Sequence, residues 1–303
     1  MQKVLITGGS GLIGTRLSQL LLQKGFAVAH LSRSNRTQKD IEVYQWDLKK
    51  KTIDEAAIAT ADYIVHLAGA GVADKRWSDS RKKEIIDSRI QSANLLYESL
   101  QKVPNQVKAF IGSSGISYYG DSGKEVKRET AAKGTGFLSD VTEVWEEATF
   151  KMSELNLRTV AIRTGLVLST KGGALAKIAL PVKFGVGTYF GDGQHYYSWI
   201  HIDDLCNIYI KAIEDESMDG IYNGVAPNPV TNKDFVLTIA KALHRPKIAV
   251  PVPEFGLRLG LGEMADAVLE GINVSSEKIE GEGFVFDSPT LLRALKDVYE
   301  REV

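Results

Sequence analysis

Thr7-Gly8-Gly9-Ser10-Gly11-Leu12-Ile13-Gly14 sets three glycines, Gly8, Gly11 and Gly14, at three-residue intervals directly after the apolar run Val4-Leu5-Ile6. That spacing suits a phosphate cradle. One glycine makes the tight turn, one lets backbone approach a pyrophosphate, and one lets helix pack on strand. The free N–H groups at the start of the helix then face the anion. An ordinary tight turn could share the spacing, but a strand before it and an amphipathic helix after it point to a dinucleotide. No Lys-Ser/Thr pair follows Gly14, which disfavours a mononucleotide loop. The end of the second strand selects the dinucleotide. Leu31-Ser32-Arg33-Ser34-Asn35-Arg36 has no carboxylate for a ribose 2′-hydroxyl. Ser32 stands where that acid is expected. Arg33 can grip a 2′-phosphate and Arg36 can add a weaker contact, so NADP is expected, with NAD as second choice. Asp47, beside Leu48, could accept from the adenine amino group or simply cap a surface turn.

These residues need a scaffold, and the first half of the chain alternates short apolar runs with amphipathic segments. Strands are expected at Val4–Ile6, Phe26–Leu31, Val43–Trp46, Tyr63–Leu67, Ala109–Gly112 and Thr159–Ile162. Helices are expected at Leu12–Lys24, stopped by Gly25, then at Asp79–Gln101 and Leu138–Met152. Strands alternating with helices imply a Rossmann-type, doubly wound parallel sheet of the α/β class. After Gly165 the glycines at 172, 173, 185, 187, 191 and 193 read as turns and loops. A short strand is expected at Ile200–Ile202, with Asp203 or Asp204 capping a helix through Ile213. Pro251 and Pro253 precede a helix around Leu257–Glu270. The expected division is a nucleotide-binding domain over residues 1–165, to which 195–225 returns. A smaller C-terminal α+β lobe for substrate takes 166–194 and 226–303.

The 303 residues are 44% hydrophobic and 25% charged, which excludes a disordered or low-complexity chain. Lys plus Arg number 37 against 38 Asp plus Glu, so a general nucleic-acid binder is not expected. No apolar stretch approaches the roughly 18 residues of a membrane span. The N-terminus shows no secretory pattern, and the single cysteine, Cys206, cannot form an internal disulfide. No Cys/His metal spacing exists. A cytoplasmic protein with a small-molecule substrate is the simplest expectation. No pattern specifies an oligomeric state.

The glycine turn, Asp47-Leu48, His66-Leu67-Ala68-Gly69, Tyr119-Gly120 and the run from Gly191-Asp192-Gly193-Gln194 to Ser198-Trp199-Ile200-His201-Ile202-Asp203-Asp204 resemble the extended short-chain dehydrogenase/reductases. More narrowly, Arg76-Trp77, Ser88-Arg89-Ile90, Trp145-Glu146, Leu257 to Met264 and Gly283 to Pro289 are similar to an atypical branch of NAD-dependent epimerase/dehydratase family proteins, one with a C-terminal domain of unknown function. Some members of that branch carry labels linking them to cell-division inhibition. The resemblance covers essentially the whole chain. It implies a cofactor site of Thr7, Gly8, Gly11, Leu12, Ile13, Gly14, Ser32, Arg33, Arg36, Asp47, Leu48, Ala68 and Gly69, with Arg163 to Leu166 passing near the nicotinamide. Arg89 could meet a phosphate or an anionic substrate, or pair with Glu84 or Asp87.

The chain also departs from that family. Its enzymes use a serine or threonine, a tyrosine, and a lysine four residues after the tyrosine. Here the helix offers Phe137 with Val141, or Leu138 with Thr142. Ser114 fits the serine position if one residue is inserted before Tyr119. Tyr118 and Tyr119 could offer a substitute phenol or simply pack. Tyr197 stands where nucleotide-sugar epimerases place a diphosphate-binding arginine, which argues against UDP- or dTDP-sugars. Two functions therefore follow. One is an NADP-dependent oxidoreductase or epimerase acting on a small non-nucleotide carbonyl or hydroxyl compound. The other is an NADP-binding regulatory or interaction protein without turnover.

Overall fold

The computed structural model describes residues 1–34, 39–246 and 248–301. Eight strands form the central sheet: β1 (Lys3–Thr7), β2 (Ala27–Ser32), β3 (Glu42–Asp47), β4 (Thr52–Ile53), β5 (Tyr63–His66), β6 (Ala109–Gly115), β7 (Arg158–Thr164) and β8 (Gly220–Gly224). They run in the order β8-β7-β6-β5-β1-β2-β3-β4, parallel except for the β3–β4 pair. The parallel strands are nearly continuous in apolar residues because helices cover both faces. Strand order reverses between β1 and β5, so a crevice opens at their carboxyl ends, the usual place for a ligand in such sheets.

Helix α1 (Leu12–Gln23) buries Leu17 and Leu21 on one face beside α5 (Ile202–Glu214). Gly25, at φ +86, ends α1 as its sequence suggested. Helix α2 (Asp79–Lys102) places Leu95, Leu96 and Leu100 on the opposite face, next to α3 (Phe137–Phe150). Register then lines up the strand ends. Thr7 pairs with His66 across β1–β5, Ser114 with Arg163 across β6–β7, and Asn223 with Arg163 across β7–β8.

The second half holds more regular structure than its glycines suggest. Helix α4 (Gly173–Lys183) starts at a glycine read as a turn and tolerates Pro181 in its last turn. Helices α6 (Asn232–Ala242) and α8 (Leu291–Glu300) pack with α4 around Trp199, Phe235 and Leu295. The expected helix over Leu257–Glu270 is broken. Helix α7 (Glu254–Leu261) ends at Gly262, whose φ of +62 breaks the α-helical run, and a 3-10 turn at Gly262–Ala265 and one α-helical turn at Asp266–Leu269 follow. Neither Asp203 nor Asp204 caps α5. His201 does, its Nδ1 accepting from the Asp203 N–H at 3.1 Å. Asp203 instead pairs with Arg16 and Arg301, and Asp204 accepts from the backbone of Asp287 and Ser288. No helix among the described residues is long and apolar enough to cross a membrane.

Candidate active site

The turn after β1 is shaped by close backbone contacts. Gly8 has φ +70, and a Cβ there would lie 3.0 Å from the backbone of Leu67 and Ala68. A Cβ on Gly14 would lie 2.4 Å from the Gly8 carbonyl oxygen, so only glycine lets α1 start this close to β1. Gly11 occupies the N-cap of α1 with no side chain capping it, and no acidic residue stands in the first turn. The first-turn N–H groups of α1 therefore have no side-chain acceptor, which leaves the helix start suited to an anion. Thr7 does not face outward. It is fully buried, and its hydroxyl bonds His66 Nδ1 at 2.7 Å and accepts from the N–H groups of Leu67 and Ala68. His66 in turn meets Ser92 at 3.1 Å, and burial pushes its pKa down to about 3. This neutral imidazole stitches β1, β5 and α2 together beneath the turn.

At the rim, Ser32 closes β2 and its hydroxyl accepts from the Ser34 N–H at 3.2 Å. Arg33 is exposed, and no hydrogen bond or ion pair with the described residues holds its guanidinium. Arg36 lies outside the described residues. Asp47 lies within β3 rather than just past it, and its carboxylate caps the next turn, accepting from the N–H groups of Lys49 and Lys50. Leu48 is partly buried against the core below. Ala68 and Gly69 follow β5, with Gly69 exposed.

A second group converges at the ends of β6 and β7. Ser114 donates to Glu146 Oε1 at 2.5 Å, and Glu146 takes two charge-assisted bonds from Arg163, at 2.8 and 2.7 Å. Ser114, Glu146 and Arg163 are all buried. Burial works against a charge on Arg163, yet Glu146 holds its proton more firmly than usual. The guanidinium carbon stacks 3.5 Å from the Tyr118 ring centre and 4.8 Å from that of Tyr119. Tyr119 is buried and donates to Asn223 Oδ1 at 2.7 Å, and burial pushes its phenol pKa up. Tyr118 is half-buried. In the sequence Glu146 carries only part of the Trp145-Glu146 resemblance and no expected site role, because its partners lie 17 and 32 residues away.

The helix that would carry the tyrosine and lysine is filled otherwise. Phe137 packs edge-on to Trp77, Val141 is buried, and the Thr142 hydroxyl meets Ser117 at 2.9 Å. Tyr197 is equally committed, its ring buried edge-on against Phe235 and its hydroxyl donating to the Val268 carbonyl. Arg89 pairs with neither Glu84 nor Asp87. Those acids hold Arg81 and Lys83 respectively.

Residues 4–223 match the family described as NAD dependent epimerase/dehydratase, and residues 252–298 match a domain of unknown function, DUF1731. The chain belongs to that epimerase/dehydratase family. Within it, the mouse epimerase family protein SDR39U1 is 33% identical over 300 residues, spanning 98% of this chain and 99% of its own. The crystal structure of human SDR39U1 (isoform2) with NADPH superposes with a TM-score of 0.88 at 32% identity, covering 99% of both chains. A nucleoside-diphosphate sugar epimerase from Corynebacterium glutamicum gives a TM-score of 0.78 at 32% identity, covering 97% of this chain and 57% of that one. Thermus thermophilus UDP-glucose 4-epimerase with NAD, 18% identical, shares the Rossmann-type fold at a TM-score of 0.76.

Proposed function

We propose that this protein is an NADPH-dependent oxidoreductase or epimerase acting on a small, non-nucleotide carbonyl or hydroxyl compound. The observation carrying this reading is the uncapped glycine turn at the carboxyl end of β1, with the polar cluster of Ser114, Tyr118, Glu146 and Arg163 at the carboxyl ends of β6 and β7 in the same parallel sheet. The uncapped start of α1 and the exposed Arg33 guanidinium, unpaired among the described residues, fit a dinucleotide with a 2′-phosphate. When bound, that dinucleotide supplies hydride transfer. The chain's own groups hold substrate and handle its proton.

Among the three candidate catalytic residues, Ser114 has its proton committed to Glu146 and can only accept, which suits orienting a substrate hydroxyl. Tyr119 has its phenol buried on Asn223. Tyr118 remains, half-exposed and held by stacking on Arg163, and we assign it the proton transfer to or from the substrate oxygen. The Glu146–Arg163 pair positions both Ser114 and Tyr118. One observation favours the reading without turnover, namely that both tyrosine–lysine registers on α3 are filled by packing residues.

The test is NADPH binding by fluorescence, followed by NADPH oxidation across a panel of aldehydes and ketones and NADP reduction with the matching alcohols. Binding with turnover is expected, and Tyr118→Phe should lower kcat by about 10²- to 10⁴-fold with little change in NADPH affinity. UDP-glucose should not bind measurably, because Tyr197 offers its diphosphate no charge. Absence of NADPH binding overturns the proposal, and binding without turnover favours the regulatory reading.

A further inference from the structure

One buried side chain beneath the glycine turn has no part in the cofactor reading. His30 stands on β2, paired in register with Ile6 of β1 and Val43 of β3. Its Nε2 lies 2.8 Å from the Ser18 hydroxyl of α1, and that hydroxyl donates to the Gly14 carbonyl at 2.7 Å. A hydroxyl has a single proton. Ser18 therefore accepts at His30, and the imidazole carries its own proton on Nε2. Burial lowers the His30 pKa from its ordinary 6.5, so the ring is neutral at pH 7. The same ring fills the space under Gly9. A Cβ there would lie 2.5 Å from Cδ2 and Cε1, and closer still to Nε2.

The missing side chains let the turn approach its neighbours, but glycine backbone does not hold itself in one shape. Local bonds supply part of the hold. The Gly11 N–H donates to the Gly8 carbonyl at 2.9 Å, and the Thr15 hydroxyl reaches the Gly9 carbonyl at 3.3 Å. His30 adds support from a strand that is itself paired on both sides. Its rigid ring meets the turn directly at Gly9 and, through Ser18, at Gly14. We propose that His30 is a positioning residue, setting the height at which the glycine turn meets an incoming diphosphate. The ring bears on Gly9 and the Ser18 relay fixes Gly14, so the N–H groups between them keep one geometry. This inference rests on the dinucleotide reading above, and it adds a second-strand residue that the glycine spacing does not disclose.

The experiment measures binding of NADPH and adenosine 2′-monophosphate by calorimetry in wild type, His30→Ala, Gly9→Ala and the double variant. The monophosphate keeps the adenosine and the 2′-phosphate but has no diphosphate, so it reads the rim without the turn. His30→Ala should weaken NADPH by about tenfold and leave the monophosphate nearly unchanged. Gly9→Ala, whose methyl meets the ring, should weaken NADPH by about a hundredfold. In the double variant that methyl enters the vacated space, so Gly9→Ala should lose little further affinity once the ring is gone. Additive losses in the double variant, equal losses for both ligands, or wild-type NADPH affinity in folded His30→Ala each overturn the proposal. Should any of these variants not fold, His30→Val and Ser18→Ala decide. Each should weaken NADPH alone by about three- to tenfold, and wild-type affinity in both refutes the role. Amide hydrogen exchange supplies a readout without ligand: relative to Leu5 in β1, the Gly11 amide should exchange at least about tenfold faster in His30→Ala or His30→Val. Failure of wild type to bind NADPH defeats the dinucleotide reading. The exchange measurement then decides His30 separately, an unchanged Gly11 rate refuting its hold on the turn.

Discussion

At the end of β1 the outward-facing groups are backbone: a tight glycine turn, an uncapped helix start and a loop at Leu67–Ala68 so close that a Cβ on Gly8 would lie 3.0 Å from it. At the ends of β6 and β7 the polar groups are side chains, and nearly all of them already hold one another. Ser114 is held by Glu146, Glu146 by Arg163, and Tyr119 by Asn223. The first region is preorganised by sterics and stays open to an anion. The second is preorganised by charge and is closed except at Tyr118. A site of backbone amides depends on the space its glycines leave, whereas one of paired charges depends on every partner remaining in place.

The largest expected effect therefore falls on the second region. Glu146→Leu leaves Arg163 buried without its counter-charge, and should destabilise the fold by about 3–5 kcal/mol in urea or thermal unfolding. A loss below about 1 kcal/mol would mean that the ion pair is dispensable. In the first region a comparable insult should spare the fold. Gly11 has φ −77 and only the Gly8 carbonyl oxygen near its missing Cβ, at 3.2 Å. Gly11→Val should thus remain folded while NADPH binding falls by at least about a hundredfold, as a branched side chain enters the space a diphosphate needs. Retained affinity in the folded variant would sink the glycine-turn assignment.

The same division explains what the sequence disclosed. The turn, its strand and its helix are local, and their glycine spacing and hydrophobic period survive in a one-dimensional reading. Six expected strands fall in the central sheet, and Gly25 ends α1 as expected. Contacts across the sequence left no such trace. Glu146 and Arg163 meet only because α3 packs over β6 and β7, and Asn223 reaches Tyr119 from 104 residues away. In the second half, glycines at 172 and 173 masked the start of α4. Helix α6 carried a readable signal that went unused, since Thr231 caps it by accepting from the Asp234 N–H. Gly262 broke a helix whose apolar period runs on beyond it.

A smaller effect sharpens the comparison at the rim of the open region. Arg33 has no hydrogen-bond or ion-pair partner among the described residues, so a 2′-phosphate can use its whole planar fork. Arg33→Ala should weaken NADPH by roughly ten- to a hundredfold and leave NADH nearly unchanged. The wild-type preference should also shrink as salt rises, because the contact is exposed. Equal NADPH and NADH affinities in wild type at low salt would return Arg33 to the status of a loop residue.

The smallest expected effect concerns Glu270, a half-buried acid at the edge of the closed region. Its Oε1 lies 3.4 Å from where a Cβ on Gly136, the N-cap of α3, would stand. Burial first, then the nearby carboxylates of Asp266 and Asp121, raise its pKa from the ordinary 4.5 to about 7. Because the folded value is the higher one, the native state holds this proton more tightly than the unfolded chain does between those two values. Stability from this group is therefore complete below about 4.5 and lost as pH rises to about 7. Glu270→Gln is permanently neutral and should behave like wild type at acidic pH. Above neutrality it should be more stable, by about 1 kcal/mol once solvent screening of a half-buried group is allowed for. Thermal unfolding of both proteins on either side of that window tests the sign. Parallel stability curves would show that solvent reaches the carboxylate freely, leaving Glu146 as the acid whose environment matters at this end of the sheet.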